Sequence, residues 1–122
     1  MKITEAQLKH SVSEYLEYGQ NQGKWLYLRL NAGDYIETRG TTRRRVKGCA
    51  KGTSDFLVIM KTRIPAYPTH VWVEATRVIF IELKSNTGTV SEEQREFGKL
   101  AEFHLAEFAV VRSLEELQEI VG

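Results

Sequence analysis

The sequence predicts an α/β protein in which a mixed central sheet is flanked by helices, in the order α-β-β-β-α-β-α. Short runs rich in β-branched and aromatic residues alternate with longer segments whose apolar residues recur at helical spacing. One short run, 78–84, carries apolar side chains on both alternating faces, which is typical of a strand covered on both sides. With 122 residues, the chain fits a single domain, 1–122, with one core.

The first element is a helix predicted over 4–19. Thr4 and Gln7 have the spacing of a capping box, and Gly19 is the expected helix end. The apolar residues that follow the cap at helical spacing are Leu8, Val12, Tyr15 and Leu16.

Three strands are predicted next. The first covers 25–31, the second 55–60 and the third 78–84. The glycine- and arginine-rich segment 32–53 has little apolar content and is expected to be a long loop or a partial hairpin.

Two prolines, Pro65 and Pro68, indicate a connection between the second and third strands. Within it, 70–73 could be a short additional strand or a dimer contact. Segments this long without periodicity are often functional or interfacial, and Val71, Trp72 and Val73 could supply an apolar patch. An ordinary edge strand is the alternative.

The last three elements have clear boundaries. Ser91 and Gln94 form a second capping box, opening a helix that runs to about residue 103. A strand at 108–111 follows, and Ser113 begins a terminal helix.

Composition excludes several classes of protein. The hydrophobic fraction of 42% and charged fraction of 27% are typical of a globular domain. The single cysteine, Cys49, rules out an internal disulfide and every Cys-pair zinc pattern. We expect a cytoplasmic protein, because no signal-peptide pattern opens the chain and no apolar run approaches the roughly 20 residues needed to cross a bilayer.

Positive charge is concentrated in one segment although the net charge is only +1. Such a localised basic segment suits contacts with nucleic-acid phosphates, whereas the alternative is a solvated loop with no specific partner. Its basic residues are Arg39, Arg43, Arg44, Arg45, Lys47 and Lys51.

Three charged residues interrupt the apolar strands. Glu82 and Lys84 lie on one strand face, roughly 7 Å apart, and Asp55 opens the preceding strand. Burying these charges is costly unless they pair or bind a cation, so neighbouring strands could join Asp55 and Glu82 around a divalent ion. The alternatives are solvated strand ends or a plain salt bridge of Lys84.

These motifs, taken in order, resemble the PD-(D/E)xK nuclease superfamily, and within it the virus-type replication-repair nuclease (VRR-NUC) domain. Ser54 stands where many such domains have proline, which should alter loop stiffness more than chemistry. The matching pieces are Glu5, Arg29–Gly33, Gly52–Asp55, Ile81–Lys84 and Ser91–Gln94, and they span nearly the whole chain.

The resemblance implies a PD-(D/E)xK, restriction-endonuclease-like core and a Mg²⁺ or Mn²⁺ site. Asp55, Glu82 and the backbone carbonyl of Leu83 would bind the ion. Lys84 would orient or deprotonate the attacking water, or stabilise the developing charge.

Two further residues each have a functional and a structural interpretation. Glu5 matches the first-helix carboxylate of the family and could bind a water of the metal shell or a second ion, but a carboxylate at a helix N-terminus is also favoured by the helix dipole. Glu14 is its only serious rival. Gln94 could approach the nucleophilic water or the DNA backbone, or it could serve only the capping box.

The expected function is therefore a metal-dependent DNA endonuclease, selective for branched DNA such as Holliday junctions. Symmetric cleavage of a junction requires two active sites, so we expect a homodimer. The alternatives are a catalytically silent nucleic-acid-binding module of the same fold and a nuclease subunit that a partner protein targets to DNA.

Overall fold

The computed structural model describes residues 3–31 and 34–122. Within them the chain forms three helices and six strands. In order they are α1 (Glu5–Asn21), β1 (Leu26–Arg29), β2 (Asp34–Arg39), β3 (Thr42–Lys47), β4 (Phe56–Ala66), β5 (Val71–Leu83), α2 (Glu92–Phe103), β6 (Glu107–Val111) and α3 (Leu114–Val121).

Four strands form the central sheet in the order β1-β4-β5-β6. β1, β4 and β5 are antiparallel, whereas β5 and β6 run parallel on either side of the α2 connection. The sheet is therefore mixed and flanked by three helices, which confirms the predicted α/β class. β2 and β3 form a separate two-stranded hairpin, so the predicted order lacked two strands.

The main core lies between one sheet face and helices α1 and α3. Alternating strand residues are fully buried there because α1 covers them with an apolar stripe. On the other face α2 packs on β5 and β6, with Phe97 edge-to-face against Phe80 at 5.0 Å. The central members of the core are Leu8, Val12, Leu16, Phe56, Val58, Ile79, Ile81, Leu83, Val111 and Leu117.

Helix α1 continues two residues beyond Gly19, so the predicted helix end was wrong. Gly19 serves close packing instead: the ring of Trp25 occupies the space that a Cβ atom would need. The Trp25 Nε1 group donates to the Leu16 carbonyl at 2.8 Å and fixes the ring there. The glycine is therefore required by a tertiary contact, which the helical pattern does not reveal.

The long connection predicted between the second and third strands is also wrong, because β4 and β5 extend through most of it as a two-stranded ribbon. Pro65 pairs opposite Trp72, and the turn between the strands contains a cis peptide bond before Pro68. Proline is tolerated because β1 pairs with β4 only as far as Ile59, which leaves the outer edge of the ribbon without a described neighbour. Residues 70–73 mostly belong to β5.

The other sequence expectations for the elements agree with the structure. Helices α2 and α3 and strand β6 begin and end close to the predicted positions, and both capping boxes are formed. Segment 32–53 contains a hairpin that turns at Gly40, where φ is 58°. None of the described helices has the length and apolar character needed to span a membrane.

Candidate metal centre

Strand register brings Asp55 and Glu82 together at one end of the sheet. Because Phe56 pairs with Ile81, Asp55 lies opposite Glu82 immediately before β4 begins. The Asp55 N–H donates to the Ile81 carbonyl at 3.0 Å. In return, the Leu83 N–H donates to Asp55 Oδ2 at 2.8 Å. The predicted pair of carboxylates is therefore held by backbone hydrogen bonds on adjacent strands.

The Glu82 carboxylate is the most unusual group of the site. The residue is only 3% exposed, and the alternation of β5 directs it away from the core occupied by Ile81 and Leu83. Oε1 accepts from Gln94 Nε2 at 2.8 Å and lies 3.8 Å from Lys84 Nζ. Oε2 is buried and has no hydrogen-bond partner among the described residues. Burying a carboxylate oxygen without a partner costs free energy, so this atom is a candidate ligand for a cation.

The electrostatics of the site raise the pKa of Glu82 to about 8. Burial is the main cause, and the neighbouring charge of Asp55 is the second. The ammonium of Lys84 opposes the rise, while the charge of Glu5 adds to it. Without a cation, simultaneous ionisation of Asp55 and Glu82 is therefore unfavourable.

Gln94 forms the predicted capping box and also contacts the Glu82 carboxylate. Its Oε1 accepts from the Ser91 N–H at 2.9 Å and completes the capping box of α2. Its Nε2 is left free to donate to Glu82. The cap thus holds the amide in position beside the carboxylate.

Helix α1 contributes a residue that the sequence analysis missed. Lys9 Nζ lies 3.7 Å from Asp55 Oδ1, so each carboxylate has a lysine beside it. The clue was the spacing of Glu5 and Lys9, which are four residues apart and share a helix face. Glu5 is near enough to influence the pKa of Glu82, whereas Glu14 is exposed and pairs with His10 at 3.0 Å.

Two loops next to the carboxylates are fixed by specific contacts. Arg112 Nη1 donates to the carbonyls of Ser85 and Gly88, at 2.6 and 2.8 Å, and holds the loop that follows Lys84. Gly52 has φ of 93°, and a Cβ atom there would lie 2.7 Å from the Glu93 carbonyl oxygen. The glycine therefore lets the loop before Asp55 approach the start of α2.

The basic residues of 39–51 are exposed, but they do not form one cluster. Arg39 and Arg44 both pair with Glu37, at 2.8 and 2.9 Å. Lys51 lies 3.6 Å from Glu93, beside the loop that leads to Asp55. Arg43 and Arg45, on β3, have no salt-bridge partner among the residues whose side chains the structure describes, and Lys47 lies opposite Asp34.

The donor set suits a hard cation that keeps some of its waters. Within 3–31 and 34–122, no group of three or more His, Cys, Asp or Glu side chains could hold a metal ion. Asp55 and Glu82 are thus two carboxylates that would need the Leu83 carbonyl, water or substrate oxygens to complete a shell. Mg²⁺ is commonly bound in this way, by one or two carboxylates together with phosphates and waters.

Comparison of the chain with protein-family models, curated proteins and solved structures finds no match.

The pKa of Glu82 predicts an unusual dependence of stability on pH. The folded state binds the Glu82 proton more tightly than the unfolded chain does. The free energy of unfolding is therefore greatest below the ordinary glutamate pKa of 4.5 and falls as pH rises toward 8. We expect urea unfolding in EDTA to show a decline of up to about 1.4 kcal/mol per pH unit across this window.

Glu82→Gln should remove this decline, because the amide does not titrate. The matched control is Glu14→Gln on the exposed face of α1, which should keep the wild-type pH profile. Parallel profiles for wild type and Glu82→Gln would contradict the raised pKa.

Proposed function

We propose that this protein is a divalent-metal-dependent DNA endonuclease with a PD-(D/E)xK-type core of the VRR-NUC kind. One observation carries the proposal: Glu82 Oε2 is buried without a hydrogen-bond partner among the described residues, beside Asp55 and close to Lys84. The contacts with Lys84 and Gln94 engage Oε1, so Oε2 is the carboxylate oxygen that a metal ion could take. The sequence resemblance supplies the reaction class.

The residues present fit Mg²⁺ or Mn²⁺. Asp55, Glu82 and the Leu83 carbonyl would hold the ion, and all of these donors are oxygens, as hard cations require. When bound, such an ion supplies Lewis-acid stabilisation of the phosphate and lowers the pKa of water. Binding would also remove the proton from Glu82 that burial otherwise favours.

The protein's own groups would orient the reaction. Lys84, whose side chain is 15% exposed, can donate to an attacking water or to a phosphate oxygen while remaining 3.8 Å from Glu82. Gln94 fixes the orientation of the Glu82 carboxylate through its 2.8 Å hydrogen bond. Lys9, beside Asp55, adds a second positive charge toward which a phosphate could be drawn.

We further propose that the substrate is branched or otherwise structured DNA. This substrate class rests on the resemblance, and the protruding basic hairpin of β2 and β3 is compatible with contacts to phosphates away from the scissile bond.

A second candidate function is a silent DNA-binding module of the same fold. It is favoured by the two ion pairs, Lys9 with Asp55 and Lys84 with Glu82, because they partly neutralise the carboxylates without any metal. In that case the protein would bind DNA but leave the phosphodiester bonds intact, or depend on a targeting partner.

The nuclease proposal predicts that Asp55→Asn, Glu82→Gln and Lys84→Met each reduce cleavage by about 100-fold or more, the loss typical of removing one group that stabilises the transition state. Purified variants should be assayed with Mg²⁺ and with Mn²⁺ on four-way junction, flap, single-stranded and linear duplex DNA. These near-isosteric changes should leave the fold intact, which circular dichroism would verify.

Glu14→Gln serves as the control, since it removes an exposed carboxylate from α1, and it should cleave like wild type. Near wild-type cleavage by Glu82→Gln would refute the metal-site assignment. DNA binding by wild type without cleavage of any substrate would favour the silent module.

We also propose that two copies of the chain form a homodimer through the free edge of β5. Beyond the segment paired with β6, residues 71–78 contact only β4 among the described strands. Val71, Trp72 and Val73 are 58%, 61% and 41% exposed, and this edge contains no proline. Antiparallel pairing of β5 with its copy would satisfy the edge and create a twofold interface.

Sedimentation at micromolar concentration should therefore give twice the chain mass of 14.0 kDa. The double variant Val71→Lys/Val73→Lys should be monomeric, because it places charges on the paired edge. Tyr67→Lys, at a turn position that is 93% exposed, is the control and should remain dimeric. A wild-type monomer that still makes paired nicks in a junction would rule out this assembly.

A further inference from the structure

The β2–β3 hairpin is attached directly beside the candidate metal centre. The Leu30 N–H donates to the Asp55 carbonyl at 2.8 Å, and the Cys49 N–H donates to the Asn31 carbonyl. The first bond ties the segment that enters the hairpin to Asp55, and the second ties the two ends of the hairpin segment to each other. Since each of its strands has six residues, the hairpin extends for about 20 Å.

Among the residues that the structure describes, the hairpin packs extensively only on itself. One face carries Glu37, Arg39 and Arg44, because Glu37 is directly opposite Arg44 and strand residues alternate. Glu37 accepts from both guanidinium groups, at 2.8 and 2.9 Å. Glu37 therefore offsets part of the charge of these two arginines.

The opposite face has a different character. Arg43 is opposite Thr38 and Arg45 is opposite Ile36, while Lys47, which continues the same row, is opposite Asp34. Neither Arg43 nor Arg45 forms a salt bridge with a carboxylate among the residues whose side chains the structure describes. Successive members of the row are roughly 7 Å apart, and Arg43 and Arg45 are exposed.

We propose that this second face, defined by Arg43 and Arg45, lies on the DNA backbone and guides the strand toward Asp55 and Glu82. The proposal rests on the proposed function and adds a division of labour within the arginine segment. Arg39 and Arg44 stabilise the hairpin through Glu37 and make no phosphate contact. Arg43 and Arg45 provide planar guanidinium groups that can bind phosphate oxygens in pairs.

Two double variants with the same charge change test this division. Arg43→Gln/Arg45→Gln should weaken binding of a four-way junction at least 10-fold near physiological salt. It should also lower the log–log salt slope by about 1.8, which is 0.9 for each lost phosphate contact. Arg39→Gln/Arg44→Gln removes the same two charges but should lower the slope by less than half as much. Binding is measured in EDTA so that no cleavage occurs.

Equal losses of slope in the two double variants, or an unchanged slope in Arg43→Gln/Arg45→Gln, would overturn the assignment of the face. Equally tight binding of wild type to polyglutamate would also overturn it, because the face would then select any polyanion. If wild type cleaves DNA but the slopes do not differ, the nuclease stands and this inference fails. If the slopes differ but wild type never cleaves, the inference stands and the nuclease fails.

Discussion

The candidate site depends on burying one carboxylate at the end of a strand. Glu82 cannot turn toward the core, because the alternation of β5 places Ile81 and Leu83 there. It lies instead under α2, where burial and Asp55 raise its pKa to about 8. Such an arrangement costs stability unless a cation occupies it, and sites of this kind are commonly functional for that reason.

The rest of the fold supports that group from several directions. The register of β4 and β5 sets Asp55 opposite it, and the capping box of α2 delivers the Gln94 amide. Helix α1 buries its apolar stripe in the core and in doing so brings Lys9 to Asp55. Arg112 holds the loop after Lys84 from a residue just beyond β6. The contacts that position the side chains of the site are therefore also contacts that stabilise the fold.

Features governed by local periodicity could be predicted from the sequence. The strand alternation that separates Glu82 from its apolar neighbours and the two capping boxes are examples, because each depends on residues only a few positions apart. The role of Gly19 could not be predicted in this way, since it depends on a Trp25 ring that arrives from beyond the helix. The lengths of β4 and β5 were underestimated because prolines were interpreted as a break, although a free edge tolerates them.

The ion pairs of the basic segment also depend on tertiary structure that the sequence pattern does not reveal. The arginines at 43, 44 and 45 are equivalent in the sequence, yet the turn at Gly40 fixes a register in which only Arg44 lies opposite Glu37. Lys9 was missed because contacts between helix α1 and the start of β4 span more than forty residues. Composition can locate a basic segment, but cross-strand pairing decides which of its charges remain available to a partner.

The most direct test of the metal centre is a crystal of the wild-type protein soaked in Mn²⁺ and measured for anomalous scattering. We expect one peak bounded by Asp55, Glu82 and the Leu83 carbonyl, and no peak there in crystals of Glu82→Gln. A wild-type map without a peak between the two carboxylates, at a Mn²⁺ concentration that occupies ordinary carboxylate sites, would contradict the account.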